Sequence, residues 1–315
     1  MKKSMINTCH IEGVLYEHDL ILKETGSASK NPGTPFISGT IKIATDDEML
    51  NIVPVHFTYS TALTSTGKAN ATFETLSKII DGTYGSFIKD GIEKAVKLRI
   101  DTAIGLNEFY SERNGKEELV SVKRNEGGFV HKVDSLDADE NKRNTFKTDM
   151  IINCVTRIEA DEERNLPEKV VVKGAIFDFR KSLLPVEFIA TNPNAMNYFE
   201  SLGATQREPV FTNVWGRQIS QVVVRKICTE SAFGEDEITE VKSNRFDFVI
   251  TGAVKEPYIW DDESSITAVE LNEAIQKREV DLAAMKKRQD EYKASKTNGS
   301  KGNSVVAPAA GGFLF

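Results

Sequence analysis

His10, His18, His56 and His131 are the side chains of this sequence best suited to proton transfer or metal ligation near neutral pH. They form neither an HxxxH nor an HExxH arrangement, so a zinc-type pair on one helix face is not expected. His56 falls in a strand-like run beside Phe57, where a histidine serves packing or surface, and it is given no role. No GxSxG elbow is present, and no glycine-rich phosphate loop follows a strand. Asp46-Asp47-Glu48 are adjacent acids in a hairpin loop and do not point the same way. Asp137-x-Asp139-x-Asn141 lacks the glycine and distal glutamate of a calcium loop and reads as solvated linker. No catalytic residue and no metal site emerge, so the expectation is a non-enzyme, and no cofactor is implied.

Binding chemistry is better represented. Proteins that hold single-stranded nucleic acid combine a cationic groove with aromatic rings on which bases stack. Strand side chains alternate between faces. If Val170, Val172, Gly174 and Ile176 point inward, Lys173, Phe177, Phe179 and Lys181 share the outer face. Lys42 is read as the first-half counterpart of Phe177, with Phe57 and Tyr59 one strand away. Farther on, Val96, Leu98 and Ile100 inward leave Lys97 and Arg99 outward, and Arg225 is matched to Arg99. Nearby loops contribute Lys123, Arg124, Trp215, Arg217 and Lys226, with Trp215 equally suited to plugging the end of a barrel. The competing reading for each is that barrel aromatics are core and surface lysines solubilise.

These residues sit on a pattern that occurs twice. Ile37-Ser38-Gly39-Thr40-Ile41 followed by Val53-Pro54-Val55-His56-Phe57 matches Val172-Lys173-Gly174-Ala175-Ile176 followed by Leu184-Pro185-Val186-Glu187-Phe188. Phe73-Glu74-Thr75-Leu76 and Phe199-Glu200-Ser201-Leu202 mark a short helix in each copy, and the same spacing sets Val96 to Arg99 on Val222 to Arg225. A strand-like run precedes each hairpin, at His10 to Tyr16 and Met150 to Thr156. A second hairpin follows, turning at Asn114-Gly115 in the first copy and around Phe233 to Asp236 in the second. Three strands, a short helix and two strands is the element order of an OB-fold. The fold expectation is therefore mainly β, two tandem OB-like Greek-key barrels, each with a short helix, plus a C-terminal helix and a flexible tail. The expected boundaries are 1–135 and 146–262 for the barrels, 136–145 for a charged linker, 263–293 for the helix and 294–315 for the tail. Thr267-x-x-Glu270 is a capping box for that helix.

With 315 residues, 40% hydrophobic and 28% charged, the chain can bury two cores without disulfide or metal support. Cys9, Cys154 and Cys228 lie far apart and read as reduced core residues. No run approaches the ~18 to 20 apolar residues of a membrane span, and Met1 to Cys9 is no signal core, so a cytoplasmic protein without membrane contact is expected. A formal net charge of −7 disfavours a broad basic surface for duplex DNA but leaves room for a local groove. The tail is rich in Ser, Gly, Asn and Ala, and it ends in Phe313, Leu314 and Phe315, read as a partner-binding tip or as residues that fold back.

The tandem units and the phenylalanine-ended tail resemble single-stranded DNA-binding proteins of phages and mobile elements. The resemblance spans most of residues 8 to 260 and implies coating and protection of single-stranded DNA, or RNA, during replication or recombination. It also implies host-cytoplasm location if phage-encoded, and replication or recombination proteins as partners of the tail. The acidic stretch common before the terminal phenylalanine in such proteins is missing here. Two rivals remain: a structural or assembly protein, such as a virion component, and an adaptor whose barrels bind protein or oligosaccharide.

Overall fold

A computed structural model describes residues 5–27, 29, 31–113, 115–161, 166–229, 233, 237–261 and 266–298. The first unit runs β1 (Asn7–His18), β2 (Ile21–Glu24), β3 (Pro35–Ala44), β4 (Ile52–Thr61), α1 (Ala71–Ile80), α2 (Phe87–Asp90), β5 (Lys97–Arg113) and β6 (Lys116–Lys132). The second runs β7 (Asn144–Ile158), β8 (Lys169–Phe177), β9 (Leu183–Ala190), α3 (Pro193–Ser201), β10 (Val210–Thr229) and β11 (Glu237–Ala253), and α4 (Ala268–Asn298) follows. In the first unit β1 pairs with β3 and β5, β3 with β4, β5 with β6, and β4 runs parallel to β6, which closes a five-stranded ring. In the second, β7 pairs with β8 and β10, β8 with β9, β10 with β11, and β9 runs parallel to β11. Both rings have the closed Greek-key order of an OB barrel, with the helix between its third and fourth strands.

Alternation of apolar side chains sets what each ring encloses. Ile41, Ile43, Val53, Val55, Leu98 and Ile100 fill the first barrel, and Leu76 and Ile79 on one face of α1 close it. Asn70 caps α1 by accepting the Thr72 N–H. Met150, Val170, Val172, Ile176, Phe188, Val214 and Phe248 fill the second barrel with Phe199 of α3. The expected inward set is therefore correct in both units.

The match between the copies differs from the one expected. The paired residues define it: Leu15 opposes Ile43 as Ile152 opposes Gly174, and Ile43 opposes Val53 as Gly174 opposes Val186. Ile104 opposes Asn125 as Gln218 opposes Phe248. Followed round the ring, the counterpart of Lys42 is Lys173, not Phe177, and that of Arg99 is Asn213, not Arg225. Arg225 lies in the part of β10 that projects past the barrel. Phe73 is in the first turn of α1 while Phe199 is in the last turn of α3, so those helix motifs do not superpose. Unequal loops shift each strand by a different amount, which a single offset cannot capture.

The units are joined tightly. β1 and β7 pair from Asn7 to Ile11 and fuse the rings into one 11-stranded sheet. Ile104 and Leu106 of the first unit pack in the core of the second. The charged segment before β7 is exposed over residues 137–142 and anchored at its end: Arg143 is buried, its Nη1 is 2.6 Å from Asp47 Oδ1, and its Nε donates to the Asp137 carbonyl. The expected capping box opens α4, with Thr267 Oγ1 accepting the Glu270 N–H and Glu270 Oε2 accepting the Thr267 N–H. No helix among the described residues is long and apolar enough to cross a membrane.

Candidate nucleic-acid interface

Where the barrels meet, a groove of about 1290 Å³ opens over the β1–β7 seam. Its floor is Thr8 to His10 and Thr145 to Lys147, one side is β4 and the β5–β6 ladder, and the other is the β8–β9 turn carrying Phe179 and Arg180. Three aromatic rings stand open along it: Tyr59 (54% exposed), Phe129 (70%) and Phe179 (85%). Singly exposed apolar side chains are common, but three rings gathered along one groove form a patch of the kind that marks a binding surface.

Each ring is held by local geometry. Tyr59 leans on Phe36, centroids 4.7 Å apart. The Arg180 guanidinium lies 5.1 Å from the Phe179 ring centre. Phe129 is presented by a bulge: Asp101 opposes Phe129 but Ala103 opposes Glu126, so Gly127 and Gly128 face Thr102 alone. Both glycines have positive φ, +67° and +114°, and a Cβ on Gly128 would lie 2.4 Å from the Asp101 carbonyl oxygen.

Three carboxylates and two cations line the groove. Asp101 Oδ1 is 3.0 Å from His10 Nδ1, Glu126 Oε1 accepts from Arg124 at 2.9 Å, and Asp178 accepts the Arg180 and Ser182 N–H groups. Lys147 and Arg180 are exposed and carry no carboxylate partner among the described residues. Such a surface offers stacking planes with two positive charges between them. Among the described residues no three His, Cys, Asp or Glu side chains gather to hold a metal ion. Burial pushes the Cys9 thiol far above its ordinary pKa, so it does not supply a thiolate.

The residues singled out from the sequence scatter. Tyr59 and Phe179 meet in the groove. Phe57 also borders it but is 4% exposed, a core ring of the first barrel, and is withdrawn as a stacking platform. Phe177 does point away from the barrel interior, yet it is buried beneath the C-terminal segment with Trp260, Ile266 and Ala274, and is withdrawn too. Lys42 and Lys173 are engaged by Glu17 and Glu187, at 2.5 and 3.6 Å. Lys97 donates to the Asp134 carbonyl, and Arg99 is 4.0 Å from Asp101, one pleat outside the groove. Lys181 sits in the turn after Phe179 with φ +62°. Trp215 and Arg217 are in β10, not in a loop, and Arg217 donates to Asn141. The Arg225 side chain and Phe313, Leu314 and Phe315 lie outside the described part of the structure. Phe129, Lys147 and Arg180 were missed, although Gly127-Gly128-Phe129 in a strand was a readable bulge signal.

No curated protein matches the chain in sequence. Among solved structures, a deletion variant of the single-stranded DNA binding protein from Thermus aquaticus is similar, with a TM-score of 0.45 and 11% identity over 82% of this chain and 97% of that one. The model of the YorF family matches residues 6–288, nearly the whole described fold. The chain belongs to the YorF family.

Proposed function

We propose that the groove binds single-stranded nucleic acid, with Tyr59, Phe129 and Phe179 stacking on bases and Lys147 and Arg180 meeting phosphates. One observation carries this: three exposed rings line a single open groove that also holds Lys147 and Arg180, neither of them paired with a carboxylate among the described residues. Stacking on a ring needs an unpaired base, which favours single strands over duplex. The few cations suit a protein of net charge −7, for which non-specific attraction to phosphate is weak. In this reading the protein acts without catalysis and shields strands exposed in replication or recombination, both units forming one site.

The test is fluorescence anisotropy of a labelled oligo-dT, with duplex as competitor. Salt-sensitive binding that duplex does not displace is expected, and Phe129→Ala and Phe179→Ala should each cost about 1 to 3 kcal/mol. Absence of binding at micromolar protein in low salt would reject the reading in favour of an assembly or adaptor role.

A further inference from the structure

The register of the β1–β7 seam carries the groove beyond its walls. Equivalent strands of the two units pair antiparallel there, Cys9 opposite Phe146, so a local two-fold axis passes through the seam. The equivalence holds in detail. Asn7 Nδ2 donates to the Ile104 carbonyl as Asn144 Nδ2 donates to that of Gln218, and Asp149 N–H donates to Ile6 as Glu12 N–H donates to Arg143. Under this relation the cross-strand pair Asp101 and Phe129 corresponds to Trp215 and Gly252.

Each pair supplies one large outward aromatic, from opposite strands. Phe129 projects from β6 next to Asp101, and Trp215 projects from β10, its ring lying over Gly252, where a Cβ would come within 2.4 Å of the indole Nε1. Between them the same outward face carries His10 opposite Thr145, and Lys147 with Thr8 on one side and Trp215 on the other. Four strand-to-strand steps, at about 4.8 Å each, separate Phe129 from Trp215, roughly 19 Å. Trp215 is 39% exposed.

We infer that Trp215 is a second stacking end of the site, carried across the pseudo-two-fold axis on the pair equivalent to Asp101 and Phe129, so that one strand crosses the seam and each chain binds one strand through both barrels. This rests on the reading of the groove as a nucleic-acid site. Two independent sites, one per barrel, are disfavoured by what the counterpart positions hold. The first unit's β3–β4 turn is acidic, Asp46-Asp47-Glu48, where the β8–β9 turn presents Phe179 and Arg180.

The experiment uses the full chain carrying Trp260→Phe, since Trp260 is the other tryptophan and donates to the Pro209 carbonyl away from the groove. Indole fluorescence is followed during titration with unlabelled oligo-dT of about 30 nucleotides, and anisotropy of the labelled strand reports binding independently. Quenching that saturates at one strand per chain is expected, with Trp215→Ala weakening the complex roughly 5- to 150-fold. Trp215→Phe, which keeps a ring, should recover most of that loss, and circular dichroism establishes that both variants are folded. Binding by anisotropy without indole quenching, saturation at two strands per chain, or unchanged affinity in a folded Trp215→Ala variant would each overturn the inference and leave the groove reading standing. No anisotropy change at all would reject both.

Discussion

Lys147 and Arg180 differ from the other cations near the groove in having no carboxylate partner among the described residues, whereas Arg124 is committed to Glu126 and Arg99 lies beside Asp101. A phosphate can displace water from the first pair but must compete with an acid for the second. Lys147→Ala is therefore expected to reduce the slope of log K against log salt by about 0.7, the value for one phosphate contact on a single strand. Arg99→Ala should leave the slope nearly unchanged, and titrations at several salt concentrations check both. A second residue-scale effect concerns acid. Burial, reinforced by Arg124, lowers the pKa of His56, and burial reinforced by Lys89 lowers that of His18. Each is neutral in the fold and takes up a proton more readily when unfolded, so stability is full above the ordinary value of 6.5 and falls as pH drops below it. Thermal melts from pH 8 to 5 should show a declining midpoint, less steep in His56→Gln. At this scale the sequence was only partly legible. Phe179 could be named from alternation and Tyr59 only as a neighbour of Phe57, but Phe177 has the same alternation as Phe179 and is buried because residues near 260 to 274 fold over it. No strand pattern announces what distant chain will cover an outer face.

Among the elements, the β5–β6 ladder decides where Phe129 points. Gly127 and Gly128 both have positive φ, but only Gly128 is hemmed in by the backbone of β5, while nothing lies within 4 Å of a Cβ on Gly127. Gly127→Ala should thus cost about 1 kcal/mol, the ordinary penalty of that conformation. Gly128→Ala adds a collision with the Asp101 carbonyl and should cost more, losing the bulge and with it the presentation of Phe129. Urea unfolding measures the stabilities, and oligo-dT affinity should fall further in Gly128→Ala than in Gly127→Ala. Element type was readable because Val and Ile recur at every second position and Thr267 caps a helix in a recognisable way. Register between the copies was not. The bulges at Leu15–Glu17 and Ile152–Cys154 are counterparts, but the unequal loops slide each strand separately, so similar tetrapeptides such as Val96 to Arg99 and Val222 to Arg225 fell into alignment without being counterparts.

At the scale of the whole molecule, each barrel depends on the other for part of its boundary. The seam gives β1 and β7 a hydrogen-bonded neighbour that neither would have alone. Ile104 and Leu106 leave the first barrel to pack in the second core, and Phe246 of the second unit packs against both cores. A buried amide cluster spans the joint: Asn125 Nδ2 donates to Gln218 Oε1 at 2.6 Å, and Asn51 Nδ2 donates to the Gln218 carbonyl at 3.1 Å. Buried polar groups that lose their partners are costly, so separating the barrels is penalised beyond the apolar area it uncovers. From the sequence, a charged stretch between two repeats read as a linker or a long surface loop. Composition cannot reveal that Arg143 in that stretch turns inward to Asp47 and the Asp137 carbonyl. The intact chain should accordingly unfold in a single transition, with backbone circular dichroism and tryptophan fluorescence giving the same midpoint. A fragment of residues 1–135 would keep Ile104 and Leu106 without their cover and Asn125 without Gln218. It should bind an apolar dye and melt well below the whole protein, if it folds at all. A fragment that melts near the intact midpoint would show the two barrels to be independent, and a groove formed jointly by both would then have no fixed shape before the strand arrives.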